Sequence, residues 1–445
     1  MMQERYIRWF PIRPSEVKLV LILGFVLFSN YASMGITQVI AVSGFLSQVQ
    51  EHYILLVWAI DMALLILTSG LQSLVIDRFK RKNLLISVLL ILAGLYLILP
   101  ILFNLPFIPR QISYSLVYLL SDQQWRFFPL LFWILVNDIF DPAQGRRLQP
   151  VIANFGFLGT ITGLGITAID AYVQFGTIAL LLLNTVIFLL AALVAQLGIS
   201  KIRASRTSTV TNPIEVLTEG WSFIRQIPAF SFLSAAMVLA GMVMTILLYH
   251  ALADAEGELG SNFQSFYAWY SLAIACLSVL IQSQANVILE RISLKNSFLI
   301  QPITMVASAF FSLLVPGSFW SSATAQGVAR VNYETVDISA RKALEAFVPD
   351  ERRGRVSMFI DSYWPSLGTI IGSLITFTII AVSLHNRLPV VWYSSIYLGV
   401  AIVAAIAALF CAIKMRSVYD ASLLSWLLKR RQRARGIMDQ IFKDL

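Results

Sequence analysis

The chain has 445 residues, 58% of them hydrophobic and only 13% charged, with a mean hydropathy of +0.76. No soluble core hides that much apolar surface, which excludes an ordinary soluble enzyme or binding domain and leaves a polytopic membrane protein. The net charge of +9 falls in loops between apolar runs, so it reads as topology and not as a surface for a nucleic acid polymer.

A hydrocarbon layer about 30 Å thick takes roughly 20 apolar residues per helix, whereas barrel strands would be short and alternating. Long, non-alternating runs lie at 17–41, 53–76, 84–103, 113–138, 152–172 and 177–198. They resume at 229–251, 265–286, 297–315, 319–345, 360–382 and 390–413. The expected fold is all-α, with twelve transmembrane helices in two six-helix halves. The N-terminal half spans 1–198, a cytoplasmic linker 199–228, the C-terminal half 229–415 and a basic tail 416–445.

Orientation follows from the basic residues. One side carries Arg5, Arg8 and Arg13, Arg78 to Lys82, Arg146 and Arg147, Lys201, Arg203 and Arg206, Arg291 and Lys295, and Arg352, Arg353 and Arg355. The opposite loops hold only Arg110 and Arg387, so both termini are expected in the cytoplasm. The first apolar run ends without a small-residue cleavage site and reads as a retained span, with a bacterial inner membrane or related internal membrane as its place. Asn212-Pro213, followed by Ile214, Val216, Leu217, Trp221 and Ile224, predicts an amphipathic helix at the lipid surface. The tail, with Trp426 amid leucines and then Lys429, Arg430 and Arg431, predicts a second contact with lipid headgroups and a surface for a protein partner.

A short pattern occurs twice: LGTITG at 158–163 and LGTIIG at 367–372, each after a basic loop. Gly159 and Gly163, like Gly368 and Gly372, are four apart with no following lysine, so they predict close helix packing and not a phosphate loop. The loop Asp77-Arg78-Phe79-Lys80-Arg81-Lys82 likewise has a counterpart in Glu290-Arg291-Ile292-Ser293-Leu294-Lys295. Two landmarks in the same order in each half resemble the parallel repeats of the major facilitator superfamily. That resemblance implies alternating access, a pathway lined by spans one, four, seven and ten, and a conformational clamp of Asp77, Arg78, Arg81, Arg352 and Arg353.

A narrower resemblance rests on Phe25, Phe28, Asn30 and Tyr31, on Leu131-Phe132-Trp133 with Asn137, and on Asp141-Pro142-Ala143, Arg146-Arg147 and Pro150. These look like the ATP/ADP antiporters, while Ser339 to Leu344, Pro349, Arg352, Gly354, Arg355, Val356, Pro365, Gly368 and Gly372 resemble their bacterial nucleotide-transporter-like relatives. The chain departs from the antiporters after Asn30-Tyr31, where Gly35, Ile36 and Gln38 replace a charged cluster. Losing that cluster removes charge-assisted contacts to phosphate.

Charges within spans cost about 2.5 to 3.5 kcal/mol each on insertion scales, so they mark cavities or partners. Span four carries Asp122, Gln123 and Arg126; span ten carries Gln326, Arg330, Glu334, Asp337 and Arg341 at helical spacing, predicting one stripe. Arg126 and Arg330 suit a small anionic substrate, with Gln123, Asn30, Gln38 and Gln326 as further contacts. Asp122, Glu334 and Asp337 are candidates for proton coupling or for plain ion pairs with those arginines. Asp61 is an isolated acid in span two. There is no HExxH or GxxxxGK[ST]; His52, His250 and His385 are scattered, and Cys276 and Cys411 lie in apolar runs, so no enzyme, cofactor or metal is expected. The leading expectation is a secondary transporter of an organic anion such as a nucleotide. The alternative is a non-transporting membrane scaffold that kept the fold.

Overall fold

The computed structural model describes residues 12–76, 80–199, 218, 221, 222, 224–345, 348 and 356–443. Asp77, Arg78, Arg352, Arg353 and most of the linker lie outside the described residues, as do the tail side chains from 425 onward.

The main helices are α1 (Val17–Leu46), α2 (Ile54–Ile76), α3 (Arg81–Asn104), α4 (Arg110–Ile139), α5 (Pro142–Val173) and α6 (Thr177–Gly198). They continue with α7 (Pro228–Leu259), α8 (Phe263–Ile292), α9 (Ile300–Leu314), α10 (Phe319–Asn332), α11 (Trp364–His385) and α12 (Val390–Lys443). Beyond Asn332, α10 runs through a π-helical turn at Tyr333–Asp337 into a further helix, Ile338–Glu345. A second π-turn, Phe359–Tyr363, leads into α11. No β-strand occurs among the described residues.

Among those residues, 9 stretches are long and apolar enough to cross a membrane, where twelve single spans were expected. Two causes account for the difference. One stretch, Pro228–Ala285, runs for 58 residues and takes in both α7 and most of α8. The helices α4 and α10 fall outside the 9 because Asp122, Gln123, Gln124 and Arg126, and then Gln326 and Arg330, dilute their apolar character. The chain is a multi-pass integral membrane protein.

The chain forms two compact units, one of Met1–Val57, Leu67–Val210 and Ala255–Val279, the other of Trp58–Ile66, Thr211–Asp254 and Leu280–Leu445. In the first unit α1 packs against α4, α5 and α6, with α5 its most extensive neighbour. Glycine sets that pairing. A Cβ at Gly159 would overlap the carbonyl oxygen of Phe28, one at Gly163 that of Ala32, and one at Gly35 would lie 3.1 Å from the Thr160 oxygen. The start of the same pair is tied by charge. Arg147 of α5 makes a two-pronged contact with Glu16 just before α1, Nη1 donating to Oε2 at 2.9 Å and Nη2 to Oε1 at 2.6 Å. Asp141 caps α5 through a reciprocal box with Gln144, and Pro142 follows in the first turn, where a missing N–H is harmless.

The second unit repeats the device. A Cβ at Gly368 would overlap the Val238 oxygen, one at Gly372 would lie 2.8 Å from the Met242 oxygen, and one at Gly241 2.5 Å from the Pro365 oxygen. Thus α7 meets α11 backbone to backbone, as α1 meets α5. An apolar cluster that includes Phe230, Leu233, Met237, Phe298, Val356 and Met415 fills the space beside them. Helix α9 packs on α10 and α12.

Enlarging a contact glycine forces the backbones apart. Gly163→Leu should destabilise the protein by about 1–3 kcal/mol, read as a fall in melting temperature in detergent, whereas Gly165→Ala, with open space at its Cβ, should leave it unchanged or raise it slightly. A second expectation concerns pH. The hydrogen bond from Arg147 holds the Glu16 carboxyl below its ordinary value of 4.5, so its contribution to stability is present above that value and fades as pH falls through the lower folded one. The gap in melting temperature between wild type and Glu16→Gln should therefore be widest near neutral pH and close as pH falls through the lowered value of the folded carboxyl.

Candidate functional site

Helix α4 buries Val117, Ser121, Gln124, Phe128, Leu131 and Leu135, a run of three- and four-residue steps that makes one packed face. Asp122 and Arg126 lie one residue further round, and Arg126 Nε donates to Asp122 Oδ2 at 2.9 Å. The pair is partly exposed, at 23% for Arg126 and 18% for Asp122. The guanidinium also lies 5.3 Å from the ring centroid of Trp125. Pro129, inside the helix, has no N–H to offer the Trp125 carbonyl, which loosens the ladder beside the arginine. Gln123 accepts from the Thr68 hydroxyl at 3.0 Å.

Helix α10 carries the matching pair in the other unit. Arg330 Nε donates to Glu334 Oε1 at 2.7 Å, with Arg330 exposed by 20%. Gln326 is buried on the same helix. The continuous stripe expected from the spacing does not extend past this point. The π-turn at Tyr333–Asp337 holds more residues per turn than an α-helix, so it changes the phase of everything after it. Asp337 and Arg341 accordingly turn inward, 3.0 Å apart, with Arg341 only 3% exposed.

Arg341 is the centre of a cluster. Its guanidinium lies 5.0 Å from the Tyr333 ring centroid and 3.9 Å from Asp361, which stands on the second π-turn. Lys342 contacts Asp361 as well and lies 3.1 Å from Glu345. Asp337 and Tyr333 also border a shallow recess with Leu233, Met237, Gln301 and Met415. The sequence reading named Asp337 but not Asp361, Lys342 or Glu345 as its company.

Other expected contacts sit elsewhere. Asn30 is fully buried, and its Oδ1 and backbone oxygen both accept from Gln124 Nε2 at 3.1 Å. Tyr96 donates to Gln124 Oε1 at 2.7 Å, and Thr37 links Tyr96 to Asn184. Asn30 thus joins a polar network that stitches α1, α3, α4 and α6 together. Gln38 is half-buried on α1. Arg81, expected in a clamp, pairs with Asp138 at the end of α4, a partner that sequence reasoning missed. Lys82 donates to the carbonyl of Gln196 at 3.2 Å and to that of Ile199, closing the end of α6. Asp61 is fully buried. No cluster of three or more His, Cys, Asp or Glu suited to a metal occurs among the described residues.

A buried ion pair matters most when half of it is removed. Arg341→Met should lower stability by about 3–5 kcal/mol by stranding Asp337, and adding Asp337→Leu should restore much of the loss in melting temperature.

The sequence matches no known family description and no curated protein. Solved structures do match. The nucleoside transporter NupG superposes with a TM-score of 0.66 at 14% identity, over 88% of this chain and 98% of that one. A bacterial homologue of the lysosomal transporter Spinster, inward-facing, gives 0.60 at 13% identity over 94% and 98%. A POT family transporter in complex with a thioalcohol-conjugated peptide gives 0.65 at 12% identity over 89% and 96%. Nearly the whole of each chain is covered by one arrangement of helices, and that arrangement is the major facilitator fold.

Proposed function

We propose that this chain is a secondary active transporter, working by alternating access, that carries an organic anion. The observation that supports it is the pairing of Asp122 with Arg126 on α4 and of Glu334 with Arg330 on α10. Each compact unit holds one such partly exposed arginine within a helix, and the two helices are fourth and tenth in their order. Guanidinium groups in an apolar setting favour carboxylate or phosphate. The acids compensate the arginines until a substrate anion competes for them. In this reading the chain has twelve spans, cytoplasmic termini and no enzymatic step.

A nucleotide is the first anion to test, because of the residues in α1, α4 and α5 that resemble the ATP/ADP antiporters. Purified protein in liposomes should exchange a labelled nucleotide or another phosphorylated metabolite. Arg126→Ala and Arg330→Ala should weaken apparent affinity about ten- to a hundredfold while folded yield holds, in line with loss of one charge-assisted contact. Unchanged transport in both variants would overturn the site. The scaffold reading draws on α12, which stays helical through Lys443, well past its apolar stretch Val390–Ser422. A partner that co-purifies in fixed proportion, with no anion transported, would favour it.

A further inference from the structure

We propose that His250, held between Tyr397 and Asp254, is a proton-binding site that couples transport to a proton gradient; this builds on the transporter reading above. His250 lies on α7 and is 4% exposed. Its Nδ1 is 2.9 Å from the Tyr397 hydroxyl on α12, and its Nε2 is 3.5 Å from Asp254 Oδ2, one turn further along α7. The Tyr397 ring stands edge-on to both His250 and Tyr249.

This geometry accommodates the imidazole in both protonation states. In the neutral ring, Nε2–H points to the Asp254 carboxylate and Nδ1 accepts the Tyr397 hydroxyl proton. When a proton binds Nδ1, that bond reverses: Nδ1–H donates to the tyrosine oxygen, and Asp254 becomes the counter-ion. The acids on α4 and α10 differ in this respect. Asp122, Glu334 and Asp337 each face an arginine, so protonating any of them weakens an existing ion pair.

Against the ring stand Asp254 on its own helix and Tyr397 on α12, with Tyr249 edge-on to Tyr397. Asp254, at 22% exposure against 5% for the histidine side chain, is the more exposed of the two and, in this proposal, the point of entry for a proton. Because the bond to Tyr397 joins α7 to α12, a change of charge at His250 acts directly on a contact between two helices.

The full chain, labelled with 15N-histidine and reconstituted in lipid, gives a direct test, since its 3 histidines are separable by comparison with His250→Gln. The His250 resonance should move from neutral to cationic values between about pH 8 and pH 5. Asp254→Asn should lower that midpoint by about one pH unit or more. In liposomes, an imposed pH gradient should speed uptake of the labelled anion by wild type, and both His250→Gln and Asp254→Asn should lose that response, with melting temperatures confirming that they fold. An imidazole that stays neutral from pH 9 to pH 5 overturns the proposal. So does a gradient response that survives in His250→Gln but disappears in Asp61→Asn, which would place the proton on α2. If wild type carries no anion, the transporter reading fails, and the histidine titration alone decides whether the site binds a proton.

Discussion

Between helices in lipid there is no hydrophobic force to speak of, because the solvent is as apolar as the side chains. Close backbone approach must supply the attraction instead, and the contacts of α1 with α5 and of α7 with α11 are built for it. Carbonyls of Phe28 and Ala32 face Gly159 and Gly163; those of Val238 and Met242 face Gly368 and Gly372. The offset is four residues along each member of each pair, so the helices of a pair run side by side in the same direction. Other features of the first unit hang on this contact: the Glu16–Arg147 fork at the helix starts and the amide network around Asn30 both require α1 to stay in register with its neighbours.

Charge is handled by a different rule. Arg126, Arg330 and Arg341 each have an acid four residues away, and the pairs differ chiefly in how exposed they are. Arg126 and Arg330 remain about a fifth exposed, whereas Arg341 is sealed in with Asp337, Tyr333 and Asp361 nearby. Exposure is what separates a charge able to exchange partners from one that holds two π-turns together. The sealed cluster ties two π-turns together, while the open pairs on α4 and α10 stand where the surface still reaches them.

Much of this was legible in the residues. Helices, repeat and glycine contacts follow from hydropathy and spacing, and the Asp122–Arg126 and Arg330–Glu334 pairs follow from the i,i+4 rule. Contacts between distant positions were not. Nothing local in Tyr96, Gln124 and Asn30 says that they meet, and the His250–Tyr397 bond joins residues 147 apart. The π-turn escaped for another reason: a single extra residue in a turn leaves no trace in a window that assumes 100° per residue. Asp337 was therefore placed on the stripe with Arg330, when the chain had already rotated it away.

That rotation selects between two neighbouring bases. Consecutive residues on a helix stand about 100° apart, and the π-turn absorbs about one residue's worth of angle. With Tyr333–Asp337 in place, Arg341 points into the protein and Lys342, half exposed, points out. The difference is chemical as well as geometric. A planar guanidinium can lie flat against the Tyr333 ring while it faces acids from two turns, whereas the Lys342 ammonium meets Asp361 and Glu345 from the exposed side. One extra residue in one turn thus determines which cation the interior receives.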